Sequence, residues 1–400
     1  MALAQELTFL DPPDTARFLR WGPFRVRPTL TIPALGYDNN VLAAPDVSLQ
    51  PRVGDYFIAL APRIDGLVLF GHRAFLTFDE RLEFYAYARR SELDYFNHFG
   101  KARLTVPFRR FGFYVDAGYE RTRDRPYDAQ NIRPIRKTFP FGAGLILKFG
   151  WRTDAELGYV RTRYAAYDPN DVCDPSTNSS CFTISDLNDH TETGTRLEVR
   201  YLAVGRTRLL LELSQRTIAF DNPGVQRDGR ERRQLVGVDF GLNGRLYGTL
   251  RVGHADFALA DANGTGFNGP VADVELGYGF GSSGSHLTLT GARDVRYTVF
   301  DETPLYAYTG GDLALVKYFN RLIGAEFVAG RAVLKFLGDS QNRVDNDSKF
   351  VAGLRFRISE NELGRRVEYA IRYTRTIINS TLPGLDQNRG TVGFGASFGY

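Results

Sequence analysis

The sequence has 1 Met and 2 Cys in 400 residues, and no run of 18 apolar residues. Without such a run, transmembrane helices are excluded. A membrane-spanning sheet is not, because alternating strands never give a hydropathy peak. An excess of one charge is also missing. The net charge is +4, with no basic tail and no recognition motif, which does not suggest nucleic acid. The five histidines, His72, His98, His190, His254 and His286, are scattered without metal-ligand spacing. No linker or composition shift divides the chain. A soluble protein of this length would split into domains, so one large repetitive unit is expected instead.

What is abundant points to sheet. There are 41 Gly, 21 Tyr and 30 Phe, residues that favour strands, bends and interface girdles. The last stretch is the clearest. Val367, Tyr369, Ile371 and Tyr373 share one face, and Glu368, Arg372 and Thr374 share the other. After a polar turn, Val392, Phe394, Ala396, Phe398 and Tyr400 face one way, opposed mostly by Gly and Ser. A period of two marks strands. The same pattern recurs upstream. Phe113, Val115 and Ala117 oppose Tyr114, Asp116 and Glu120, and Leu197, Val199 and Tyr201 oppose Arg196, Glu198 and Arg200. Val274, Leu276 and Tyr278 oppose Asp273 and Glu275, and Phe350, Leu354 and Phe356 oppose Arg355 and Arg357.

Eighteen strands are predicted. The first nine fall near 24–37, 54–68, 73–88, 93–106, 111–122, 137–149, 152–164, 192–204 and 206–220. The rest fall near 231–242, 245–258, 270–280, 285–300, 304–318, 321–336, 347–358, 364–378 and 389–400. Their connections alternate in length. Short turns sit at Gly71-His72, Arg109-Arg110, Gly150-Trp151, Gly205, Asn243-Gly244, Ser282-Ser283-Gly284, Asn320-Arg321 and Glu360-Asn361. Asn-Gly between alternating strands is a strong hairpin signal. Long polar connections sit at 39–53, 123–136, 165–191, 221–230, 259–269, 337–346 and 379–388, while 89–92 and 301–303 are tight. Bacterial barrels join strands by short periplasmic turns and longer outer loops. The expected fold is therefore all-β, an antiparallel transmembrane barrel of about 18 strands. An even count puts both termini on one side, and the long first connection makes that side periplasmic.

The charged face must then look into water, through a lumen wide enough for a channel unless it is plugged. Aromatics near strand ends fit two girdles. Phe149, Trp151, Phe280, Tyr318, Phe319 and Tyr400 are expected at the turn end, and Phe220, Phe257, Phe300 and Tyr306 at the loop end. Glu80, Arg293 and Arg331 fall on the outward phase, and a β-bulge beside each would turn it inward.

The opening stretch carries a resemblance. Gly22-Pro23-Phe24-Arg25-Val26-Arg27-Pro28-Thr29-Leu30, then Tyr37-Asp38-Asn39-Asn40-Val41, resembles the opening of the Putative beta-barrel porin 2 family. Leu60-Ala61-Pro62 also fits. The resemblance implies an outer-membrane barrel, often encoded beside exopolysaccharide assembly genes, with no catalytic residues to carry over. An aromatic last residue, Tyr400, resembles the terminal signal of outer-membrane barrels and implies the barrel-assembly machinery as a partner. The expected organisation is a signal-peptide remnant at 1–4, a periplasmic lead-in at 5–22 that caps or plugs the barrel, and the barrel at 23–400. The expected location is the bacterial outer membrane, among its lipid and lipopolysaccharide. Polysaccharide and periplasmic export components are further expected partners.

Cys173 and Cys181 lie in the longest loop, and in an exported protein such a pair is expected to form a disulfide. Asp168, Asp171 and Asp174 crowd the same loop without an EF-hand pattern, so a solvated acidic loop is favoured over a Ca²⁺ site. No cofactor is expected. His254 with Asp256 is half a dyad with no serine placed beside it, and an enzyme is not expected. The functional candidates are the inward charges: Asp116, Glu120, Arg196, Glu198, Arg200, Glu275, Arg355, Arg357, Glu368 and Arg372. Either they satisfy one another in a wet lumen, or they set a field that sorts solutes. The expected function is a porin-like channel for a hydrophilic solute or polymer, linked to exopolysaccharide secretion. The alternative is a plugged barrel for surface display or adhesion.

Overall fold

Alternating strands have two unlike faces, and a sheet that closes on itself can turn one to lipid and the other to water. The computed structural model describes residues 12–13, 15–16, 18–46, 52–71, 73–123, 134–167, 183–225, 227–242, 244–260, 266–281, 284–298, 303–339, 341–360 and 366–399. A short strand β1 (Leu19–Trp21) comes first. Then come β2 (Phe24–Asp38), β3 (Asp55–Phe70), β4 (Ala74–Tyr87), β5 (Tyr95–Pro107), β6 (Phe111–Thr122) and β7 (Ile135–Phe149). β8 (Thr153–Tyr167), α1 (Ile184–Asn188), β9 (His190–Val204), β10 (Thr207–Phe220), β11 (Gly229–Leu242) and β12 (Leu246–Leu259) follow. The chain continues through β13 (Phe267–Phe280), β14 (Ser285–Tyr297), β15 (Leu305–Tyr318), β16 (Ile323–Leu337), β17 (Val344–Glu360), β18 (Arg366–Ser380) and β19 (Gln387–Gly399). Each strand from β2 onward is antiparallel to the next, and β19 pairs with β2, so 18 strands close into a barrel. Every predicted strand is present, its ends within 3 residues of those expected.

Closure depends on the opening motif. Asn39 N–H donates to the Gly390 carbonyl (3.1 Å), and Gly390 N–H donates to Asn39 Oδ1 (2.8 Å). Arg389 Nε donates to Asp38 Oδ2 at 2.7 Å, and Asp38 is 1% exposed. Asn40 holds the first loop through both amide atoms, each 2.9 Å from the Ala44 backbone. The motif thus ties the first barrel strand to the last. β2 also carries a bulge between Thr31 and Ala34, where Ile32 and Pro33 sit. Proline lacks a donor and is tolerated at such breaks.

β1 stands outside the ring. It pairs Leu19–Val26 and Trp21–Phe24, on the edge of β2 that β19 leaves free beyond Thr29. Gly22, at a φ of 57°, makes the turn. This described part of the lead-in covers an edge at the turn end of the barrel. The stretch 1–4, and the loop holding Cys173 and Cys181, lie outside the described residues.

The outer face is apolar, with Phe113, Leu197, Phe350, Leu354, Ile371 and Phe394 all exposed. Trp21, Phe149, Trp151 and Phe319 are exposed at the turn end, and Tyr37, Tyr56 and Tyr167 at the loop end. Several expected girdle residues are elsewhere. Phe220, Phe257, Tyr306 and Tyr318 are buried on the inward phase, and Phe300 and Tyr400 lie outside the described residues. The expected bulges at Glu80, Arg293 and Arg331 are absent, since the registers there run without a shift. Glu80 stays outward and is bonded to His98 Nε2 on the neighbouring strand. Gly100 makes room for the pair, because a Cβ there would lie 2.7 Å from Glu80 Oε2.

Replacing Arg389 by Met would leave the Asp38 carboxylate buried without its charged partner, at a cost of roughly 3 kcal/mol. We expect a lower urea midpoint for the folded, heat-modifiable gel band. An unchanged midpoint would mean that Asp38–Arg389 does not hold the closure.

Candidate functional site: the charged lumen

Period two turns every second side chain to the inner wall, and there the charges meet in clusters. On β8 and β9, Arg200 Nε bonds Asp154 Oδ1 at 2.5 Å, with Glu198 Oε1 3.4 Å from its Nη1. Arg196 Nη2 bonds Glu156 Oε1 at 3.0 Å, and Tyr114 OH donates to the same oxygen at 2.8 Å. On β16 to β18, Glu326 accepts from Arg355 (2.8 Å) and Arg372 (3.0 Å), and Arg355 also bonds Glu368 at 2.8 Å. Asp116 accepts from Arg103 at 3.0 Å. Arg357 lies over the Tyr318 ring, 4.1 Å from its centroid. Glu120 and Glu275 are exposed on the inner wall and enter no ion pair among the described residues. All ten candidates therefore lie on the inward phase, and those that pair do so in separate clusters rather than one ring.

A further cluster was missed in the sequence. Arg216 bridges Glu192 (2.9 Å) and Glu231 (2.6 Å), and Arg233 bridges Glu231 and Asp294, both at 2.6 Å. The same inward alternation on β10 and β11 was there to be read. These groups line a cavity of 510 Å³ with Tyr164, His190, Phe257 and Tyr297. His254 and Asp256 are not part of it. They share the outward phase of Leu250 and Val252, and Asp256 Oδ1 accepts from Asn268 Nδ2 at 3.4 Å.

One wall of that cavity is the barrel folded into itself. β14 pairs with β13 only as far as Ala272–Arg293, so residues 294–297 of β14 keep β15 alone as a neighbour. Their outward-phase side chains turn inward. Val295 and Leu305 are buried with Ile218, Phe220, Ala255, Phe257, Phe267 and Val271, from the inner faces of β10, β12 and β13. Tyr297 sits 5.5 Å from Phe257, 5.4 Å from Phe220 and 6.0 Å from His190 between ring centroids. A β14 residue that skips β13 and touches β9, β10 and β12 has crossed into the lumen.

A backbone group on each freed edge finds a side-chain partner. Pro270 has no N–H to offer, and its carbonyl accepts from Arg293 Nε at 3.1 Å. Val295 N–H donates to Asp294 Oδ1 at 2.8 Å, and that carboxylate is held by Arg233. Arg227, 2% exposed, clamps the tip. Its Nη2 donates to the Thr298 (2.6 Å) and Pro304 (3.3 Å) carbonyls, and its Nη1 to Leu187 of α1 (2.6 Å). A capping box between Thr183 and Asp186 starts α1. Hydrogen bonds from the Thr183 hydroxyl and backbone, then Asn222, hold Asp186 below the usual carboxylate range.

A closed 18-strand barrel, apolar outside and charged inside, has the architecture of an outer-membrane channel. The profile of the family described as Putative beta-barrel porin 2 matches residues 13–398, and the chain belongs to that family. Among solved structures it is similar to the outer membrane protein opdK from Pseudomonas aeruginosa, at 9% identity and a TM-score of 0.51, covering 94% of this chain and 99% of that one. It is similar at the same coverage to OccAB3 from Acinetobacter baumannii, with 11% identity and a TM-score of 0.50. A BenF-like porin from Pseudomonas fluorescens gives 7% identity and a TM-score of 0.51, again over 94% and 99% of the two chains. At such identities the likeness is one of fold. No curated protein matches the sequence. The chain is a porin-like outer-membrane channel, and its family and fold point away from an enzyme.

Arg227→Met would remove the clamp on the rolled-in tip, and hydrogen bonds from a charged group are worth about 1.5–3 kcal/mol each. We expect larger single-channel conductance from a barrel that still folds. Conductance equal to that of the unaltered protein would mean that the tip does not narrow the path.

Proposed function

We propose that the lumen passes small hydrophilic solutes across the outer membrane, with both termini periplasmic and the long loops outside. The wet, charged inner wall is the observation that carries this reading. Arg196 keeps 41% of its side chain exposed, and the inward Val160 is 44% exposed. Burying such charges dry would cost several kcal/mol per ion. The exopolysaccharide link implied by the opening motif is the polymer form of the same reading, in which a secreted chain threads the lumen. The rolled-in end of β14–β15 narrows the mouth and favours the solute form.

Selectivity is expected to follow the charges that are not already neutralised. Glu120 and Glu275 are the choice for a test, because changing them strands no partner among the described residues. The double variant Glu120→Arg and Glu275→Arg should shift ion preference towards anions by on the order of a few-fold, since a unit charge about 4 Å away in water contributes about 1 kcal/mol. The lipid-facing Leu354→Val should leave selectivity unmoved. Reversal potentials in a planar bilayer read both. Well-folded protein that conducts nothing would sink the channel for solutes and favour the display barrel.

Orientation has its own test. An epitope inserted at Thr177 should be labelled on intact cells. Labelling only after permeabilisation would mean the inverted topology.

A further inference from the structure

Most inward arginines have a carboxylate partner, while a set of outward ones at one level has none; two residues beyond that level on β8, the outward Arg163 does pair, with Asp221. Facing the lumen, Arg27, Arg103, Arg216, Arg233, Arg355 and Arg372 each bond a carboxylate at 3.0 Å or less. Facing outward, Arg161, Arg293, Arg331 and Arg375 are exposed, and none enters an ion pair among the described residues. Their phase is fixed by neighbours of the same parity: Leu157, Leu289, Phe327 and Tyr373 are all exposed outer-face residues.

These four share one depth. Arg161, Arg293 and Arg331 lie 8 residues along their strands from Thr153, Ser285 and Ile323, and Arg375 lies 9 from Arg366. With a rise of about 3.4 Å per residue and a tilt of about 40°, that is roughly 20–25 Å above the turn end. The apolar band of such barrels is about 25 Å tall, so the arginines mark its upper rim. Three stand on alternate strands, β14, β16 and β18, and Arg161 stands apart on β8. On β4, β5 and β7, Phe84, Phe96, Phe139 and Phe141 hold comparable heights and are exposed. An arginine is costly at mid-bilayer but costs little near an interface, so four at one level place that level among headgroups.

We propose that this arginine belt binds the phosphorylated glycolipid of the outer leaflet, whose phosphates are the counter-ions the barrel wall does not supply. A guanidinium and a phosphate match in a two-point hydrogen-bonded geometry. The proposal rests on the reading above in which the loop end faces outward. An inverted barrel would present the belt to the phospholipid leaflet instead.

The test uses the purified full chain in a neutral detergent, titrated with bisphosphorylated lipid A, its monophosphoryl form and phosphatidylglycerol, with bound lipid read by native mass spectrometry. Bisphosphorylated lipid A should bind best, and added salt should weaken it. Replacing Arg161, Arg331 and Arg375 by Gln should reduce its affinity at least about tenfold, the size expected when paired charges are lost. This variant spares Arg293, which also serves the Pro270 carbonyl. The heat-modifiable gel shift reports folding, and bilayer conductance reports the channel separately. A triple variant that conducts normally and loses lipid A supports the belt. Unchanged lipid A binding by the folded triple variant, or phosphatidylglycerol bound as tightly as lipid A, overturns it whether or not the channel conducts.

Discussion

In hydrocarbon an unpaired backbone N–H or C=O costs several kcal/mol, and the rest of the structure answers to that constraint. A sheet can meet it only by closing. The opening motif does the closing, with Asn39 exchanging hydrogen bonds with Gly390 and Asp38 holding Arg389. β1 covers the stretch of β2 that β19 does not reach. A feature that looks like a family signature in sequence is therefore a seam in space. Its polar residues are the price of a cylinder made from an open chain.

Closure also fixes what the side chains can do. Only two faces exist, so nearly all lumen charge must share one of them. Acid and base then meet across neighbouring strands, as in Arg200 with Asp154 and Glu198, or Glu326 with Arg355 and Arg372. Mutual pairing leaves a modest net field, and a solute would feel mainly the residues outside these clusters. The two readings of the inward charges thus apply to different residues. Paired arginines line the wall, and on the proposed channel reading Glu120 and Glu275 are left to act on what passes.

The eighteen strands and their phases were legible because period two is imposed by geometry and interrupted by recognisable turns. The inward residues were legible for the same reason. What escaped lay where position along the strand was weighed above parity. Phe220 and Phe257 sit near strand ends as girdle aromatics do, yet they pack inside against Val295 and Leu305. Their parity, shared with Glu212 and Arg216 or with Arg251, marks the inward phase, and only the β14 segment that covers them is visible in three dimensions alone. Arg227 escaped because it stands in a loop, where no period exists. Glu80 escaped differently. Its outward phase was read correctly, but a bulge was expected where the structure instead supplies His98 across the strand and Gly100 to make room.

The place where the wall opens follows from the same constraint. β13 and β14 part above Ala272–Arg293, which lies at the height of the outward arginines. Below that level the freed edges would meet hydrocarbon. Above it they meet headgroups and water, and Arg293 and Asp294 take up one backbone group on each edge. The face that turns in was phased for lipid, so it is already apolar, and it can dock on an apolar patch of the neighbouring inner wall, on β10, β12 and β13, without burying an unpaired charge. A barrel of this kind can therefore narrow itself with its own wall only near a rim. Here the loop-end rim is used, and the 510 Å³ cavity, with its four bridging arginine–carboxylate contacts, lies directly against the rolled-in strand.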